Sequence, residues 1–132
     1  MLQKTPSELQ VLLTHFDWNL QRLNEVLKQE QSDYFKGAAL QRFGHTYDIV
    51  LKTLRAFAKG QNLPSQTDKQ CFEAAVSSGW IEKKSDLKEM VADYQRINQK
   101  QPQNAEAVYD KLPKFHHTFS KIFAELKAFN SL

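Results

Sequence analysis

Arg42 and His45 come closer to chemistry than any other pair in this chain. They stand three residues apart in AALQRFGHTYDIVLK, residues 38–52. A guanidinium beside an imidazole and the apolar Ile49 has the fork geometry to grip a carboxylate or a phosphate. The plainer alternative is an arginine whose stem covers the core rim while its head meets solvent or a carboxylate. Arg96 is a second phosphate-binding candidate, with a surface position near a helix end as its alternative. Other polar sets carry less. His116 and His117 are adjacent, so on a helix they diverge by about 100° and do not grip one ion. His15 reads as a surface histidine. Asp48 and Lys52, four apart, read as a solvated salt bridge of about 0.3–0.5 kcal/mol.

No glycine-rich phosphate loop, serine elbow or paired-histidine metal motif is present. No catalytic residue, metal or cofactor is therefore expected. The lone Cys71 excludes an intrachain disulfide and a multi-cysteine zinc site. Its neighbours Phe72 and Ala75 make it a packing residue.

The elements that carry these residues are helices. Ala39, Phe43, Tyr47, Val50, Leu54 and Phe57 recur at three- and four-residue steps, which defines one apolar stripe. Beside it runs a second line of Ala38, Arg42, His45, Ile49, Thr53 and Ala56. A helix that only covers a core needs one stripe. The second line is therefore expected to touch another chain or a ligand. An earlier helix begins near Thr5-Pro6-Ser7-Glu8, where a capping side chain and a proline suit a helix start. Its stripe is Leu9, Leu12, Leu13, Phe16, Leu20, Leu23 and Leu27. Trp18 falls on the opposite side, beside Val11, and is read either as a lone exposed aromatic or as an interface anchor.

Gln29 to Asp33 separates the first two helices, and Gly60 is expected to cap the second in a left-handed conformation. Thr67 caps a short third helix that ends at Gly79, after which Trp80 and Ile81 tuck into the core. Ser85 caps a fourth, with Leu87, Met90, Val91, Tyr94 and Ile97 on one side. After the polar loop Gln99 to Asn104, a last helix faces Val108, Leu112, Phe115, Phe119, Ile122, Phe123, Leu126 and Phe129 inward. Pro113 is expected to kink or delay it. No alternating β pattern is long enough for a sheet. The expected fold is all-α, a four- or five-helix bundle in one domain, 1–132, whose short connections make neighbours antiparallel.

Composition agrees. The 132 residues are 41% hydrophobic and 25% charged, which argues against disorder. A net charge of +3, with Lys and Arg spread along the chain, permits a nucleic-acid partner without demanding one. No apolar run suggests a signal peptide or a membrane span, so the expected location is the cytoplasm.

Several segments together carry a resemblance. AALQRFGHTYDIVLKTL, CFEAAVSSGWI, LKEMVADY, AEAVYDKL and FHHTFSKIFAEL resemble the nucleotidyltransferase substrate-binding subunit family, a group of HEPN-like helical bundles. The similarity extends over nearly the whole chain after about Leu9. Its best markers are Gln41-Arg42-Phe43 and the stretch from Ala105 to Tyr109. The resemblance implies an all-α homodimer that is the substrate-binding partner of a small, separate nucleotidyltransferase. Many relatives form toxin–antitoxin pairs in which the helical chain is a ribonuclease. In those members an Arg-Asn pair is followed by Ser-His-Thr-Tyr. Here the corresponding stretch, Asp93 to Gln101, keeps Arg96 but has no His or Tyr behind it, so it lacks a proton-exchanging group. Gly44 also departs from the pattern, since relatives commonly carry Glu there. The expected function is thus a non-catalytic binding subunit, with Arg42, His45, Ile49, Arg96 and Trp18 as candidate contacts. The alternatives are a HEPN-type ribonuclease toxin with a degenerate site, borrowing His45 or His116, and a purely structural or regulatory helical dimer.

Overall fold

Capping side chains set where the helices begin. In a computed structural model that describes residues 7–83, 86–98 and 105–131, five helices follow one another. These are α1 (Glu8–Leu27), α2 (Asp33–Gly60), α3 (Asp68–Ser77), α4 (Leu87–Ile97) and α5 (Ala105–Asn130). Among the described residues there is no strand. Ser7 Oγ accepts from the Gln10 amide and starts α1, while Ser32 does the same for α2 through Phe35. Thr67 starts α3 within a reciprocal capping box closed by Gln70. Asp86 occupies the cap position of α4 without a side-chain capping bond. Ser85, Thr5 and Pro6, named as cap or start residues above, lie outside the described residues, as does the polar loop Gln99 to Asn104.

The helix ends correct one expectation. Gly60 completes α2 instead of capping it, and Asn62 takes the left-handed conformation at φ 58°. The Leu63 amide then returns to Ala58 O at 2.9 Å and the Asn62 amide to Lys59 O at 3.1 Å. This is the paired closure that a left-handed residue permits, and Asn tolerates that region better than other non-glycine residues. Gly79, at φ +82°, closes α3 in the same way, with the Trp80 amide on Ala75 O at 2.9 Å. The closure turns Trp80 and Ile81 into the core, where each is 3% exposed.

α2 is about 42 Å long. Its expected stripe of Ala39, Phe43, Tyr47, Val50, Leu54 and Phe57 is buried throughout. Phe43 stacks on Phe115 and Phe119 of α5, and Phe57 meets Trp80 and Phe129. Phe16 of α1 packs on Phe123 of α5. These pairings fix directions. α1 is antiparallel to both α2 and α5, so α2 and α5 run parallel. The rule that neighbours alternate fails there because α3 and α4 intervene in the chain. α5 also continues through Pro113 without a break.

Two polar side chains inside this core are satisfied locally. Thr46 and Thr53, both 0% exposed, bond back to Arg42 O and Ile49 O one turn earlier. Thr53 belonged to the second line on α2, so part of that line is core rather than contact surface. Met90 and Cys71 are buried, as their packing roles require.

The glycine closure of α3 yields a test. A Cβ at residue 79 meets nothing within 4 Å, so Gly79→Ala should destabilise through backbone strain alone, by about 1–2 kcal/mol in urea melts. Asn62→Gly should change stability by less than about 0.5 kcal/mol, since that site already holds a tolerant residue.

Candidate functional site

α3 and α4 both pack on α2, yet neither packs on the other. The gap between them is a groove of about 870 Å³. Tyr47, Phe72, Val76, Leu87, Val91 and Tyr94 form its apolar walls and floor. Asp68, Lys69, Glu73 and Lys88 line its rim with both signs of charge. The volume falls in the range of about 300–1,000 Å³ typical of small-molecule sites, and so does the apolar lining with a few polar groups.

Two tyrosines organise the α2 end of this groove. Tyr47 and Tyr94 stack at 3.8 Å between centroids with planes 12° apart. Tyr47 also tilts against Phe72 and meets Phe43 edge-on. The Tyr94 hydroxyl donates to Asp48 Oδ1 across the α2–α4 contact. Asp48 is thus engaged with Tyr94, and the expected Asp48–Lys52 pair is not formed. Burial pushes the Tyr47 phenol well above its ordinary value near 10, and the negative charges of Asp68 and Asp48 add to the shift. The Tyr94 phenol is raised by burial and by its bond to Asp48. Asp68 Oδ1 itself accepts from Arg55 Nη2 at 2.9 Å.

The candidate residues from the sequence lie outside this groove, and of them Trp18 and Arg42 are brought into contact. Trp18 is 51% exposed on α1, with the Arg22 and Arg42 guanidiniums 5.3 and 5.7 Å from its ring centre. Arg42 is therefore held by an aromatic ring, as a cation over a π-face. Gly44 faces Ile97 of α4 instead, so the glutamate common in relatives would not sit on the Arg42 side. His45 is exposed and borders a separate recess with Asp48, Ile97 and Asn98. Ile49 is half-buried against the core edge. His116 Nε2 lies 3.1 Å from Leu20 O, while His117 borders a smaller cavity beside Trp80 and Asp86, so the two do diverge. Among the described residues, no group of three His, Cys, Asp or Glu is placed to hold a metal ion. No helix among them is long and apolar enough to cross a membrane.

Arg96 has a structural occupation. Its Nη1 donates to Asp93 Oδ1 at 2.6 Å, and Asp93 is 1% exposed. The other Asp93 oxygen lies 2.6 Å from Lys111 Nζ of α5. Lys111 and Lys114 both reach Glu89 as well. The bond to Asp93 holds the Lys111 ammonium above its usual range, against a smaller opposing effect of burial. Sequence reasoning missed this network and the groove. Asp93 carries no periodic signal, and Tyr47 and Tyr94 read simply as members of core stripes.

Two measurements follow. Asp93→Ala should lower stability by about 1–3 kcal/mol in urea melts, because it strips a buried acceptor from two cations. Arg96→Ala should cost about 1 kcal/mol or less, since the Arg96 side chain is 40% exposed and Lys111 still faces the carboxylate. Alkaline titration tests Tyr47. A phenol whose folded pKa is raised contributes stability that is fully present below the unfolded value near 10 and lost as pH rises through the folded one. Melting midpoints should therefore fall above pH 10, and less steeply in Tyr47→Phe.

Comparison with known proteins places this geometry in a family. No curated protein matches the chain. The family model described as nucleotidyltransferase substrate binding protein like matches residues 12–128, which takes in parts of all five helices and the whole groove. The chain belongs to that nucleotidyltransferase substrate-binding family.

Proposed function

We propose that this chain is the non-catalytic subunit of a two-component nucleotidyltransferase, and that it holds the acceptor substrate in the groove between α3 and α4. A separate small transferase supplies the nucleotide site and the metal-binding carboxylates. The observation that carries the reading is the groove itself, an apolar recess of about 870 Å³ in a chain of this family. Its walls offer aromatic and aliphatic surface for binding, with a charged rim for orientation.

The ribonuclease alternative draws no support from the placement of Arg96. That guanidinium bonds to Asp93, His116 meets Leu20 O and His117 borders the cavity beside Trp80, while His45 lines a recess with Ile97 and Asn98. General acid–base cleavage needs the proton-exchanging group within hydrogen-bond reach of the reacting atoms. A homodimer joined through the exposed Trp18 face, a cytoplasmic location and a toxin–antitoxin gene pair complete the proposal. Trp18, half exposed and flanked by two arginines, has the character of an interface hot spot.

Co-expression with a small nucleotidyltransferase encoded beside this chain's gene tests the pairing, and co-elution in a sizing run is the expected result. Separate elution at micromolar concentrations would count against the two-component reading. Trp18→Ala should shift the sizing profile of the chain alone toward the monomer while leaving its melting midpoint within about 2 °C, as expected for a surface change.

A further inference from the structure

Trp80 and Asp86 border one cavity, and each carries a buried polar atom with no hydrogen-bond partner among the described residues, Nε1 and Oδ2 respectively. Trp80 is 3% exposed, and Phe57 and Phe129 hold its ring in place edge-on. An indole N–H this deep normally finds an acceptor. Asp86 stands at the cap position of α4, where a carboxylate usually bonds the first amides of the helix, yet it makes no such bond. Its Oδ1 accepts instead from the Thr118 hydroxyl of α5 at 2.7 Å, which leaves Oδ2 unmatched. The cavity, of about 290 Å³, lies between the turn after α3, the start of α4 and the middle of α5. It shares no lining residue with the groove between α3 and α4.

An indole N–H only donates and a carboxylate only accepts, so an occupant that pairs both must itself accept and donate. An ammonium would pair Asp86 and leave the indole N–H unmatched. The lysines at the rim are engaged, Lys121 with Glu82 and Lys114 with Glu89, so Asp86 and Glu125 disfavour an anion. One or two waters could pair the two atoms, but Ile81 and Ile122 add apolar lining that water leaves uncovered. The volume falls at the lower end of the range of about 300–1,000 Å³ for small-molecule sites, which limits the ligand to about one ring. We propose that this cavity is a second binding site, for a small neutral compound whose head group accepts from Trp80 and donates to Asp86. Carboxamides and alcohols share that chemistry. The site stands apart from the acceptor groove, and the inference does not depend on the two-component reading.

Indole N–H signals in NMR spectra of the isotope-labelled full chain provide the test. The sequence holds two tryptophans, so loss of one signal in Trp18→Phe assigns the other to Trp80. The probes are cyclopentanecarboxamide, cyclopentanol, cyclopentanecarboxylate and cyclopentylammonium, which share a ring and differ in head group. The amide, the alcohol or both should move the Trp80 indole proton downfield to saturation, and should bind about fivefold or more tightly than either ion. Asp86→Ala should weaken that binding about tenfold, the worth of a hydrogen bond to a charged group. Trp80→Phe, followed through the backbone amides of Gly79 and Ile122, should lose about fivefold and serves as the second variant if Asp86→Ala folds poorly. Tyr34→Phe, 77% exposed on α2 and outside the cavity, should change nothing. A Trp80 signal unmoved by all four probes would leave water as the occupant and overturn the inference. Equal affinity for either ion, or undiminished binding in both Asp86→Ala and Trp80→Phe, would overturn it as well.

Discussion

Every other helix of this chain packs against α2, and its buried stripe is the constraint on which the remaining structure depends. Phe43 binds it to α5, Phe57 to α5 and to the turn after α3, and Tyr47 to α3 and α4. Each such aromatic, fully buried, contributes about 1.5–3 kcal/mol through the area it removes from water. Tyr47 differs from the two phenylalanines in that its polar tip has somewhere to go. One residue therefore joins the packed interior to the groove. The same stripe that holds the bundle together also sets the groove's innermost wall.

The outer wall is held by different forces. α4 buries Met90 and Asp93 fully and packs Leu87, Val91, Tyr94 and Ile97 partly against the core. Directional polar contacts add to this. Asp93 and Glu89 tie it to Lys111 and Lys114, Asp86 accepts from Thr118, and Tyr94 donates to Asp48. Buried ion pairs of this kind cost desolvation and contribute little net stability, but breaking one side leaves a charge stranded. Such contacts tolerate few alternative registers. Charge placement thus helps to set the position of α4 along α5. On this account the bond from Arg96 to Asp93 contributes to that geometry.

What was legible in the sequence follows the range of each interaction. Helical period is local, so the stripes of α1, α2 and α5 were readable, as were the Thr67 cap and the inward turn of Trp80 after Gly79. The family could be recognised because several such segments occur in one order. Pairings between distant segments were not readable. Asp48 looked committed to Lys52 four residues on, yet its partner is Tyr94, 46 residues away. Gly60 looked like the end of α2 because glycine is the usual left-handed residue, but Asn62 satisfied the same closure two residues later. The groove was invisible for a related reason. Apolar residues that line a cleft and apolar residues that fill a core share one periodicity, and only the failure of α3 and α4 to meet distinguishes them.

The two surfaces of interest are disposed in a way that bears on assembly. On the helical wheel of α2, Arg42 lies about 140° from Tyr47. Trp18, which covers Arg42, therefore faces away from the groove. If the groove holds the acceptor as proposed, a transferase must approach it from the α3–α4 side, because the transferred group must come within bonding reach of the bound acceptor. The Trp18 face is then outside that approach and available for self-association at the same time. On the proposed reading, the groove and the Trp18 face therefore draw on different side chains.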